Sequence, residues 1–179
     1  MNTAMRAPRK ERIPRHDYQL SMQIQILCIG KIKDAWIASG IAEFEKRLRP
    51  YAKVFVTELA EVRIPDNASA TEEQRVKEKE GELLLSNIKS GFVPVALDPR
   101  APLISSEDLA KSVGDAKIEG TNLCFIIGGP LGLSPALLSA VPKKVSFSKM
   151  TFTHTMCRLI LFEQIYRAFR IVSGEPYHK

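Results

Sequence analysis

The chain has 179 residues, 26 Lys and Arg against 20 Asp and Glu, a formal charge of +6 and 45% apolar residues, which suits one domain of ordinary size around a single core. No apolar run approaches the roughly 20 residues needed to span a bilayer, so a transmembrane protein is excluded from the expectations. Cys28, Cys124 and Cys157 are odd in number and lack CxxC spacing, which predicts free thiols in a reducing compartment, with no disulfide and no metal site.

Residues 1–21, MNTAMRAPRKERIPRHDYQLS, carry almost no apolar periodicity, and Pro8 and Pro14 interrupt any helix. They are expected to form a disordered basic extension, with the domain spanning 22–179 from Met22. From there strand-length apolar runs alternate with helical patterns. A strand is predicted over 24–29, a helix over 35–48 and a second strand over 54–59. Residues 64–70 read as loop, Thr71 opens a charged helix running to Ile88 with Lys89 near its last turn, and 93–97 form the third strand. Ser105 or Ser106 caps a short helix, 123–127 form the fourth strand, and Ser134 caps another short helix. Residues 145–148 complete the strands, and a long helix follows from about Thr153. This alternation predicts an α/β fold with a parallel sheet covered by helices on both faces.

Ligands of such sheets bind at the carboxyl ends of the strands. Three ends stand out: Leu97-Asp98-Pro99, Gly128-Gly129-Pro130-Leu131-Gly132, and Ser148-Lys149-Met150-Thr151. The glycine cluster is suited to close backbone approach to a ligand, but it is neither a dinucleotide fingerprint nor a P-loop. A plain turn is the competing interpretation.

Charge is unevenly divided along the chain. Residues 1–21 hold five basic and two acidic groups, residues 143–179 seven and two, and the rest fourteen and sixteen. A basic excess concentrated in the C-terminal segment predicts one face that meets a polyanion, the alternative being a merely solvated surface. The last helix is apolar all round, so its own sheet is expected to cover one side and a second subunit the other. Its polar residues fall in two lines, His154 with Arg158, and Glu163, Arg167 and Arg170; the first borders the strand-end loop.

The run IIGGPLGLS, followed by SFSKMTFTH, Arg158, EQ, YRA and the ending GEPYHK, resembles the RlmH (YbeA-like) family of the SPOUT superfamily of methyltransferases. The resemblance covers 22–179 and includes LCIGKIKDAW and VKEKEGELLL; Thr153 and Leu131 depart from the family's usual residues. It implies a homodimeric SPOUT-type fold with a C-terminal trefoil knot. It also implies a cytoplasmic enzyme dependent on S-adenosyl-L-methionine that methylates N3 of a pseudouridine in 23S ribosomal RNA. Cofactor contacts are implied at Leu97, Gly128, Gly129 and the run Phe147, Ser148, Lys149, Met150, Thr151 and Phe152. Proton removal from N3 needs a base, for which His178 is the first candidate and His154 the second. Arg158 and Lys149 are expected to hold phosphate or the developing anion, and Tyr177 to stack on or hydrogen-bond the base. The acceptor is expected within the assembled ribosome. Other classes consistent with the residues are a non-catalytic RNA-binding factor and a different α/β enzyme that holds phosphate at 128–132.

Overall fold

The structure, a computed structural model, describes residues 22–177; the extension at 1–21, His178 and Lys179 lie outside the described residues. Five strands form one parallel sheet in the order β2-β1-β4-β3-β5. The strands are β1 (Gln23–Ile29), β2 (Lys53–Leu59), β3 (Phe92–Leu97), β4 (Asn122–Ile127) and β5 (Lys143–Val145). Between them run α1 (Ala35–Leu48), α2 (Ala70–Ser86), α3 (Ser106–Ile118) and α4 (Pro135–Ala140), and α5 (His154–Val172) follows the last strand.

The apolar strands β1 and β4 are central because both their faces are covered. Ile24, Ile26, Leu123, Phe125 and Ile127 project into one core layer with α1, α3 and α5, while Leu27, Ile29, Cys124 and Ile126 project into a second with α2 and α4. Each fully buried phenylalanine, such as Phe125, Phe162 or Phe169, contributes roughly 2 kcal/mol of apolar transfer free energy. Pro94 is tolerated inside β3 because β5 pairs only from Val95 onward, so no neighbour on that side needs the missing N–H.

Helix ends follow local side-chain chemistry. Ser69 caps α2 in a capping box with Glu72, so the helix begins at Ala70, one residue before the predicted start at Thr71, and it closes at Ser86, leaving Lys89 beyond it. Ser105, not Ser106, caps α3; Ser134 caps α4; Thr153 caps α5. Gly81 in α2 allows that helix to approach α4: a Cβ there would lie 2.3 Å from the Ser134 hydroxyl oxygen.

Two expectations change. The last strand is Lys143–Val145, not 145–148, because β3 ends at Leu97 and the chain beyond Val145 turns to the next loop, with Ser146 N–H donating to the Pro102 carbonyl at 2.9 Å. The apolar girth of α5 is covered largely within the chain, by the sheet and by flanking α1 and α3, so it does not by itself call for a second subunit. Gly40 on α1 is part of that packing, its bare Cα facing Leu159.

Candidate active site

The carboxyl ends of β1, β3 and β4 open into one cleft of about 800 Å³, bordered by Leu97, Asp98, Pro99, Gly128, Gly129, Leu131 and Leu133, and closed by Thr151, Phe152, His154 and Cys157. A smaller recess continues from it along Phe147, Ser148 and Met150, sharing Leu97, Thr151 and Phe152. Of the nine residues expected to hold a cofactor, eight therefore line one continuous hollow. Lys149 alone lies outside the lining and is exposed. The 147–152 loop is fixed by Ser146, whose hydroxyl donates to the Ser148 carbonyl at 2.9 Å, and by Ser148, whose hydroxyl accepts from Met150 N–H at 2.9 Å.

The glycine turn is shaped by the protein's own packing. A Cβ at Gly128 would lie 2.9 Å from Leu133 Cδ2 and 3.0 Å from the Gly132 carbonyl carbon; at Gly129 it would lie 2.8 Å from Glu80 Oε2. Gly132 N–H donates to the Gly129 carbonyl at 2.9 Å, and Gly132 adopts φ +82°, a left-handed conformation that side chains disfavour. The missing side chains at 128 and 129 thus make room for Leu133 and Glu80 rather than for a ligand alone. Glu80 is buried, accepts from Val62 N–H at 3.1 Å through Oε1, and has no partner for Oε2 among the described residues; burial pushes its carboxyl above the usual range.

His154 opens α5 at the cleft wall, placed there by the Thr153 cap, whose hydroxyl accepts from Met156 N–H at 3.3 Å. Arg158, one turn on, does not face the cleft. It is 1% exposed, donates to Glu58 at 2.5 Å and to the Gly30 carbonyl at 3.0 Å, and is therefore unavailable to a phosphate or a developing anion. Tyr177 does not reach the cleft of its own chain either. Its hydroxyl donates to Glu163 at 3.2 Å and its ring packs edge-on to Tyr166 with Arg167 at 4.8 Å, about 14 Å along the α5 axis from His154. His178, the first candidate base, lies outside the described residues.

The expected C-terminal cationic face is also revised. Arg158 is paired with Glu58, Arg167 with Glu163 at 2.6 Å, and Arg170 with Glu175 at 2.5 Å. The Lys144 ammonium caps α4 by donating to the Leu138 carbonyl at 2.9 Å. Summed charge along the chain overlooks this pairing, which only the fold reveals.

The family described as "Predicted SPOUT methyltransferase" matches residues 22–178. The chain belongs to the SPOUT methyltransferases. Within them it falls in the family of ribosomal RNA large subunit methyltransferase H. The relative so named, provisionally, in Methanocorpusculum labreanum is 69% identical over 88% of this chain and all of its own length. The one so named in Halothermothrix orenii is 52% identical, again over 88% of this chain and all of its own. A solved structure from Bordetella pertussis Tohama I, described as a probable methyltransferase, shares the fold at TM-score 0.53 and 11% identity, over 84% of this chain and 96% of that one.

In this SPOUT methyltransferase, sequence reasoning missed the contribution of β1 and β2. Lys31, Lys33 and Asp34 after β1, and Glu61 after β2, also border the cleft. The signal was present in the parallel alternation, since central β1 delivers its carboxyl end beside that of β4. No helix among the described residues is long and apolar enough to cross a membrane, and these residues hold no cluster of three or more metal-binding side chains.

Proposed function

We propose that this SPOUT methyltransferase transfers the methyl group of S-adenosyl-L-methionine to N3 of a pseudouridine in 23S ribosomal RNA, on the assembled ribosome, as a cytoplasmic homodimer. The observation that carries the proposal is the convergence of Leu97, Gly128 and the 147–152 loop on one cleft. The naming of close relatives as ribosomal RNA large subunit methyltransferases supports the choice of substrate.

The residues suit the cofactor. Leu97, Ile127, Leu131, Leu133 and Phe152 give the cleft an apolar wall for a nucleoside, Thr151, Thr153 and Thr155 add hydroxyls, and the volume of about 800 Å³ is that of an ordinary ligand site. When bound, the cofactor supplies an electrophilic methyl group on a sulfonium. The chain's part is to position the acceptor nitrogen in line and to remove its proton. Among the described residues His154 is the histidine that borders the cleft, and it accepts the N3 proton in this scheme. Because Tyr177 is held far from its own cleft, Tyr177 and His178 of one protomer serve the cleft of its partner, with the C-terminal segment threaded as a trefoil knot.

Transfer of labelled methyl from S-adenosyl-L-methionine to ribosomes and to protein-free ribosomal RNA, with the modified nucleotide located, tests the proposal. Transfer to one uridine-type base in ribosomes is expected. Equal efficiency on naked RNA overturns the ribosome requirement, and RNA binding without any transfer leaves a non-catalytic binding role.

A further inference from the structure

Four of the five loops that leave the carboxyl edge of the sheet carry an exposed cation: Lys31 and Lys33 after β1, Arg63 after β2, Arg100 after β3 and Lys149 after β5. Arg100 is tied to Asp98 at 2.8 Å, but Lys31, Lys33, Arg63 and Lys149 make no ion pair among the described residues. The arginines of α5 that dominated the charge of the sequence are neutralised within the chain. Large apolar side chains also stand exposed at this edge, Trp36 at 63% in the first turn of α1 and Met150 at 70% in the 147–152 loop the most exposed of them, with Ile64 and Leu103 in the loops after β2 and β3. Lys31 and Lys33 border the cleft mouth together with Asp34 and Glu61, so the cations that reach the cleft lie at its edge beside carboxylates, while Arg63 and Lys149 lie outside its lining.

We propose that this rim is the docking surface for single-stranded RNA, with Lys31, Lys33, Arg63 and Lys149 on successive phosphates and Trp36 stacked on a base beside the one that enters the cleft. The pairing of spread cations with an exposed aromatic is what sequence-tolerant single-strand binding requires. It rests on the RNA-methylating reading above and adds to it the surface that holds the substrate.

Trp36 is the single tryptophan of the chain, so its emission reports on this rim alone. The probe is an oligouridylate of about a dozen nucleotides, titrated into the full chain at several salt concentrations. Emission is expected to be quenched on binding. The triple variant Lys33→Ala, Arg63→Ala, Lys149→Ala is expected to bind at least about tenfold more weakly, with the slope of log affinity against log salt reduced by about 2. A control that removes the same charge from the opposite edge, Lys46→Ala, Lys53→Ala, Lys117→Ala, is expected to stay near wild type. Equal weakening in both triple variants would mean that net charge alone acts, and overturns the proposal. So does emission indifferent to RNA but dependent on protein concentration, which would place Trp36 against a second copy. Methyl transfer to ribosomes is measured in parallel: transfer by wild type with rim binding unaltered in the variant overturns the docking surface only. Rim-dependent quenching without transfer supports the surface and overturns the enzymatic reading.

Discussion

Arg158 of α5 and Glu58 of β2 form an ion pair across 2.5 Å in which the guanidinium is 1% exposed and the carboxylate side 32%. The inequality predicts unequal costs. Glu58→Ala strands a charge in the core and is expected to destabilise by about 3 kcal/mol, whereas Arg158→Met leaves a carboxylate that can still reach water and is expected to cost about half as much. Urea denaturation of both variants checks the order; a larger loss for Arg158→Met would show that shape, not charge, governs the site.

His154 borders the cleft, and removing it tests its assignment as the proton acceptor. His154→Ala is expected to lower kcat by about 10²- to 10³-fold while cofactor affinity changes little. A rise in KM with kcat unchanged would reduce His154 to a binding role and move the assignment to His178.

Glu80 gives a pH-dependent prediction. Its folded-state pKa is raised by burial, so the folded state holds the proton more tightly than the unfolded chain does. The stabilisation from that proton is present at low pH and is lost as pH rises through the folded-state value. Glu80→Gln removes the titration, so its stability relative to wild type is expected to improve as pH rises from the ordinary carboxylate range through the raised folded-state value and then to level off. Thermal melts across that range measure it, and parallel pH profiles for the two proteins would contradict it.

The three thiols should separate by reactivity. Burial pushes Cys28 up to about 11 and Cys124 to about 12, and both are sealed in the sheet. Cys157 is also raised by burial, yet it borders the cleft. Iodoacetamide near pH 8 is expected to modify Cys157 slowly and the other two not at all, with S-adenosylhomocysteine slowing the reaction further. Mass spectrometry of the native protein settles which sulfur is labelled.

The glycine turn predicts a graded response. Gly128→Ala forces contact with the Gly132 backbone and Leu133, and is expected to cost about 2 kcal/mol; Gly132→Ala strains a left-handed residue with open space around it, and is expected to cost about 1. Chemical denaturation with cofactor binding measured by calorimetry tests whether the first also weakens the cleft.

Periodicity made the frame legible: α1 spans the predicted residues, and β1, β2, β3 and β4 each begin one residue earlier than expected. It failed at β5, where the strand ends at Val145 and the next residue, Ser146, makes an isolated bridge to Leu103 that short-range pattern cannot tell from a strand. The strand-end residues of the cleft were readable because parallel sheets place ligands there, and the family motif sharpened them. Arg158 was misjudged because helical spacing puts it beside His154, while its partner Glu58 is 100 residues away. Tyr177 lies away from the cleft of its own chain because the tail folds back on Glu163, a contact that sequence order does not reveal.

Gly81 sits in the middle of a charged helix and borders neither hollow of the cleft, yet it faces the capping Ser134 just beyond the glycine turn. A methyl group at 81 must displace that cap, and the displacement runs into the segment that ends at Leu133 on the cleft wall. Mutational tolerance in α2 should therefore be sharply uneven: neighbouring Glu82 open to nearly any residue, Gly81 as restrictive as a position in the site itself.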